Sequence, residues 1–128
     1  MNKVITEDYC DFETAIHLKK KGFDIVTEKC YILDNAGLCA VSIGQIFNGS
    51  PQGKHEIAAP TLQMAMKWLR KVHGLFINLF IYEYGEGKVA FEIEKIPSAE
   101  TVIEDYEYAT YEEAAEAAIK YCLTNLID

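Results

Sequence analysis

The side chains in this chain that could do chemistry are three histidines, four cysteines and a few adjacent carboxylates. An imidazole titrates near neutrality and can pass a proton, so His17, His55 and His73 are the acid-base candidates. His17 falls among charged residues of a predicted helix and has no orienting partner. His73 stands at a helix end, where a cation complements the dipole. His55 lies beside Glu56 in a breaker-rich stretch, and this pair is the one centre around which a scattered enzyme site would assemble. The cysteines Cys10, Cys30, Cys39 and Cys122 form no CxxC or CxxH pair, so their spacing does not fit a zinc site. Cys30 and Cys39 fall on facing strands of a predicted hairpin, where a disulfide is geometrically conceivable. The start of the chain lacks a signal peptide's apolar stretch, which favours buried thiols instead. Cys30, Cys39 and Cys122 map to core stripes; Cys10 lies off them, among Asp8, Asp11 and Glu13, whose charges raise a thiol pKa. Glu104-Asp105 and Glu112-Glu113 lack the interleaved glycine and carbonyl donors of a calcium loop. Gly85-Glu86-Gly87 is followed by no helix start, lysine or hydroxyl at phosphate-loop spacing. The residues therefore point to no catalytic, cofactor-binding or metal-binding constellation.

Charge placement narrows the partners. The chain has 128 residues and a net charge of −8. Ten acidic and ten basic side chains cancel over residues 1–91, so the excess lies between Glu92 and Glu116, with nine acidic groups against Lys95. A field of that sign repels phosphate backbones. Basic groups gather instead at two predicted helix ends, Lys19, Lys20 and Lys21 on the first and Lys67, Arg70 and Lys71 on the second. Dipole complementarity explains each cluster, and if the helices lie side by side the six form one patch able to meet nucleic acid. No apolar run approaches the roughly 18 residues of a membrane span, so the reading is a cytoplasmic protein without membrane contact.

The elements that must position these groups follow from periodicity. A helix is predicted over Thr6 to Lys21, from Ile5, Tyr9, Phe12, Ala15 and Ile16, with Gly22 as its stop. Strands follow at Ile25 to Leu33 and Leu38 to Ile46, joined by Asp34-Asn35-Ala36-Gly37. Pairing Leu33 with Leu38 turns Cys30, Ile32, Cys39, Val41 and Ile43 to the core and Lys29, Tyr31 and Ser42 away from it. Asn48 to Glu56 reads as an exposed loop. Thr61 caps a second helix whose stripe is Leu62, Ala65, Met66, Leu69 and Val72; Trp68 lies on its flank, partly exposed, and Gly74 ends it. Leu75 to Tyr84 and Lys88 to Ile96 form a second hairpin with Ile77, Leu79, Ile81, Val89, Phe91 and Ile93 inward. Its other face carries Phe76, Asn78, Phe80, Tyr82 and Tyr84 opposite Lys88, Ala90, Glu92 and Glu94. An acidic connector then leads to a helix capped by Thr110, with Glu113 as capping-box partner and a stripe of Tyr111, Ala115, Ala118, Ile119, Cys122 and Leu126.

The order αββαββα predicts a single α+β domain over residues 1–128. Its sheet is expected to be one four-stranded antiparallel sheet made from the two hairpins, with the helices mainly on one face. Monomers seldom leave a large aromatic patch wet, so Phe76, Phe80, Tyr82 and Tyr84 either lie under a loop or helix of the same fold or, with Trp68, are the candidate interface residues.

The segment Ala58-Ala59-Pro60-Thr61-Leu62, continued by Lys67-Trp68-Leu69-Arg70, resembles small uncharacterised proteins of phages and prophages in gut Bacteroidetes. The similarity extends loosely to Ala15 to Asp24 and to Tyr106 to Ala114. It implies a mobile-element origin and no activity. Interaction surfaces without catalytic groups lead to the expectation of a non-enzymatic protein-binding or accessory module, homo-oligomeric or bound to a protein partner. The alternatives are nucleic-acid binding by the basic helix ends, nucleic-acid mimicry by the acidic segment, and an enzyme around His55 and Glu56.

Overall fold

A computed structural model describes residues 3–32, 38–40 (backbone only), 56–82, 84 and 86–128. The predicted turn at 34–37, residues 41–46 of the predicted second strand, Glu83 and Gly85 at the second hairpin's tip and most of the breaker-rich loop, His55 included, lie outside the described residues. The order is α1 (Phe12–Lys20), β1 (Lys29–Ile32), β2 (Leu38–Ala40), β3 (Glu56–Ala58), α2 (Leu62–His73), β4 (Leu75–Ile81), β5 (Val89–Lys95), β6 (Thr101–Tyr108) and α3 (Tyr111–Tyr121), closed by a π-helical turn at Cys122–Leu126. The α+β class stands, but the strands form two antiparallel three-stranded sheets, β2-β1-β3 and β4-β5-β6, instead of one four-stranded sheet. Each hairpin took its third strand from a segment that periodicity alone reads as connector.

Helix α1 starts later than its apolar stripe implies. Asp11 accepts from the Thr14 N–H at 2.8 Å and so caps the helix. The residues before it run extended, held where Cys10 N–H donates to Pro60 O and Leu62 N–H to Asp8 O, both at 2.9 Å. Cys10 is consequently fully buried, contrary to its position off the predicted stripe. Strand β1 pairs Cys30 with Cys39, two residues from the expected register, and Cys30 is buried as read; Val41 and Ile43 lie outside the described residues. Tyr31 was expected to face away from the core and is buried: α1 packs on that face, Phe12 meets the Tyr31 ring edge-on at 5.6 Å, and the Tyr31 hydroxyl donates to Cys10 O at 2.6 Å.

Helix α2 has the predicted boundaries. The Thr61 hydroxyl accepts from Met64 N–H at 3.1 Å, and Gly74 closes the helix in the left-handed region at φ 65°. Leu62, Ala65, Met66 and Leu69 are buried as read, while Val72 is 59% exposed. Trp68 is buried, not flanking. The chain leaving α1 folds over it, with Phe23 edge-on at 5.4 Å and His73 at 4.6 Å, contacts that no local pattern encodes. Helix α3 has its Thr110 cap and buries Ala114, Ala115, Ala118 and Ile119, whereas Tyr111 stays exposed.

Strands β4 and β5 again pair two residues from the expected register, Ile81 with Val89; Ile77, Val89, Phe91 and Ile93 are buried as read, whereas Ile81, read as a core residue, is 72% exposed at the end of its strand. Ile77, Phe91 and Ile93 join Leu62, Met66, Leu69, Ile119 and Cys122 in the main core. The chain then passes the cis Ile96-Pro97 bond into β6. Glu107 adopts φ 74° where the β5-β6 register slips.

Candidate functional sites

Two surfaces combine unusual chemistry with defined geometry. The first is the face of β4-β5-β6 turned away from α2 and α3. Strand pairing arranges it in rows. Phe76 lies opposite Glu94, which pairs with Thr101; Asn78 lies opposite Glu92, which pairs with Glu104; Phe80 lies opposite Ala90. Ala90 offers only a methyl and is fully buried, and Phe80 reaches beyond it to Tyr106 on β6, edge-on with centroids 6.2 Å apart. Tyr82 meets the same Tyr106 ring at 5.1 Å. Tyr106 was not among the aromatic residues singled out from the sequence, because its strand read as an acidic connector.

The carboxylates of this face are crowded. Glu92 and Glu104 are cross-strand partners, where like charges repel, and Glu94 follows on the same side of β5. Glu92 accepts from Asn78 Nδ2 at 3.0 Å and Glu104 from the Tyr106 hydroxyl at 2.5 Å. A hydrogen bond to Glu92, with burial and the Glu92 charge, holds the Glu94 carboxyl above its ordinary pKa. The bond to Glu104 likewise raises the Tyr106 hydroxyl. Among the described residues the one ion pair is Lys120 with Asp11, so no cation answers these three glutamates. Phe76 is 41% and Tyr84 87% exposed, with Phe80 and Tyr82 half-buried, and among the described residues no helix packs on this face.

The second surface is the joint between α1 and α3. One turn of α3 sets Glu116 and Lys120 against the start of α1. The Glu116 Oε1 atom accepts from Asp11 N–H at 2.7 Å and from the Thr14 hydroxyl at 3.2 Å, while Lys120 Nζ donates to Asp11 Oδ2 at 2.8 Å. Burial pushes the Asp11 carboxyl up, but bonds from Lys120 and Thr14 outweigh it and hold the group low. The opposite balance holds at Glu116. Burial, helped by the nearby Asp11, pushes its carboxyl up to about 7 against the Asp11 N–H, because its second oxygen is buried without a partner. A carboxyl titrating near neutrality is suited to proton transfer. It borders a depression of about 320 Å³ shared with Asp8, Tyr9, Leu62, Glu112 and Glu113, an acidic lining. The bonds from Asp11, Thr14 and Lys120 latch α3 to the start of α1.

The remaining candidates are scattered. Burial, with help from Glu116 and Asp11, drives the Cys10 thiol far up, and burial raises Cys122 to about 12, which disfavours the thiolate at both. His73 does not serve as a cation at the helix end: burial against Trp68 lowers its pKa and leaves Nε2 without a partner. Glu56 lies on β3 and accepts from Cys30 Sγ at 3.3 Å. Lys19, Lys20 and Lys21 close α1, and Lys67, Arg70 and Lys71 lie on α2; the Phe23–Trp68 contact ties the end of α1 to the second half of α2. Lys21 is already engaged, donating to Ile127 O at 2.9 Å. Among the described residues no group of three or more His, Cys, Asp or Glu is placed to hold a metal ion, and no helix is long and apolar enough to cross a membrane.

Comparison of the chain with protein-family models, with curated proteins and with solved structures finds no match in any of the three.

Proposed function

We propose that this chain is a non-enzymatic protein-binding or accessory module, acting in the cytoplasm, whose working surface is the open face of β4-β5-β6. The observation that carries this reading is the cluster of Phe80, Tyr82 and Tyr106 on a sheet face that no described helix covers. Ordinary burial economy places such rings under another layer, and a partner supplies that layer. The resemblance around Ala58 to Arg70 fits an accessory protein of phage or mobile-element origin. The partner is a second copy of this chain or another protein.

The test is a Phe80→Glu, Tyr82→Glu double variant. Both side chains are only half-buried and face away from the helices, so the melting temperature is expected to stay within about 3 °C of the parent. Light scattering and affinity capture are expected to show loss of self-association or of a captured protein. Retention of the same assembly by the folded variant sinks the reading.

A second reading is nucleic-acid binding by the basic ends of α1 and α2, favoured by the Phe23–Trp68 contact that joins those helix ends. Fluorescence anisotropy with labelled duplex DNA decides it. Binding that weakens with salt and is lost on Arg70→Ala with Lys71→Ala supports the reading, and no binding in low salt removes it.

A further inference from the structure

We infer that the partner seated on the β4-β5-β6 face presents a cationic segment, with arginine or lysine side chains placed between the Glu92, Glu94 and Glu104 carboxylates and the Phe80, Tyr82 and Tyr106 rings. This inference deepens the reading of that face as the working surface and rests on it. Three features fix the partner's chemistry. The first is the register. Glu92 is paired across strands with Glu104, and Glu94 lies two residues along on the same side, so three like charges share a patch that a second strand layer or an apolar partner would have to desolvate unpaired. A cation removes that penalty and gains charge-assisted hydrogen bonds in its place.

The second feature is the aromatic cluster. Tyr106 stands edge-on to Phe80 and Tyr82 at interplanar angles of 87° and 83°. At 6.2 and 5.1 Å these rings already touch, so nothing inserts between them, and a guanidinium or ammonium must lie on their outward side. Both tyrosine and phenylalanine rings attract a cation there. The third feature is the wider field. The segment from Glu92 to Glu116 holds nine acidic side chains against one lysine and supplies the edge strand β6 and half of the central strand β5, so a basic segment is drawn to this end of the molecule before contact. Among the described residues of the face Lys88 is the single basic one, at the loop end of β5 and on the far side of Ala90 from Glu92. An acidic partner or a nucleic acid is repelled by the same arrangement.

The probe is an arginine-serine repeat peptide, with glutamate-serine and leucine-serine repeats beside it. Each is titrated into the full chain and followed by backbone amide NMR shifts. The arginine peptide is expected to bind saturably, moving amides of residues 76–82, 90–94 and 102–106. A Glu92→Gln, Glu104→Gln variant keeps the acceptor oxygens for Asn78 and Tyr106 and is expected to bind about tenfold more weakly. The charge-matched Glu7→Gln, Glu112→Gln variant, altered away from the face, is expected to change by less than about twofold. Equal weakening in both variants overturns the inference, since net charge alone would then explain binding. Occupation of the face by the leucine peptide or by a second copy, with the arginine peptide excluded, overturns the cationic partner and leaves the surface in place. Failure of every peptide to move these amides, joined to unchanged assembly in the Phe80→Glu, Tyr82→Glu variant, removes both.

Discussion

A carboxyl that keeps its proton near neutrality sits where two helices meet, and its effect on stability has a definite sign. The Glu116 pKa rises from 4.5 to about 7 on folding, so between those values the folded chain holds a proton that the unfolded chain has released. Stability therefore falls as pH rises through that window. Its buried second oxygen has no partner, so the ionised form pays the desolvation without compensation. Glu116→Gln keeps an acceptor for Asp11 N–H and the Thr14 hydroxyl and removes the charge. After discounting for solvent screening, the variant is expected to be about 1 kcal/mol more stable than the parent at pH 8 and equal to it near pH 4, read from urea unfolding at both values. A parent whose stability does not decline between pH 5 and 8 relative to the variant would contradict this assignment. The sequence showed Asp11 and Glu116 only as members of a charge count. Their separation of 105 positions hides the latch, since neither spacing nor neighbours reveal which helix faces which.

At the scale of the element, caps were legible and strand partners were not. Thr61, Thr110 and Gly74 act through their own next turn, so residue type and position suffice to place them. Gly74 also adopts φ 65° and its carbonyl accepts from Ile96 N–H at 2.8 Å, tying α2 to the end of β5. Gly74→Ala leaves space for the added methyl, 3.4 Å from Ile96 O, yet costs the left-handed strain. The expected loss is about 1 kcal/mol, or about 3–5 °C in melting temperature by calorimetry; an unchanged transition would mean the chain relaxes there at no cost. Strand β6 illustrates the opposite case. Thr101–Tyr108 is largely exposed along its length and carries Glu104, Asp105 and Glu107, so it lacks the apolar alternation that marks a strand. It pairs because β5 offers a free edge, and the slip at Glu107 shows that the pairing bends to suit local preferences. The two-residue register error in the second hairpin kept Ile77, Val89, Phe91 and Ile93 inward, since the pleat repeats every two residues.

At the scale of the whole molecule, the main core collects α1, both sheets, α2 and α3 around Leu18, Phe23, Ala58, Trp68, Leu69, Phe91 and Ile119, and a smaller cluster of Ala15, Tyr31, Ile57 and Ala59 joins α1 to β1 and β3. Unfolding is accordingly expected to be a single transition, with far-ultraviolet circular dichroism and Trp68 emission coincident; separated midpoints would divide the two sheets into independent units. Trp68→Ala removes a ring packed on Phe23 and His73 and is expected to cost about 3 kcal/mol or more in urea unfolding, whereas a loss below about 1 kcal/mol would return Trp68 to the surface. The sequence by itself determined the second and third helices with their Thr61 and Thr110 caps, the inward placing of Ile77, Val89, Phe91 and Ile93, the acid excess between Glu92 and Glu116 and the aromatic row Phe76, Phe80 and Tyr82, because periodicity, capping and charge are local properties. The tertiary structure alone decided that there are two sheets instead of one, that Cys10, Tyr31 and Trp68 are buried, that Glu116 latches α3 to α1, and that Tyr106 and Glu104 share the β4-β5-β6 face that no described helix covers. Each of these depends on which distant segments share a surface, and the free energy that selects those pairs comes from burying whole faces together, a quantity no short window of residues contains.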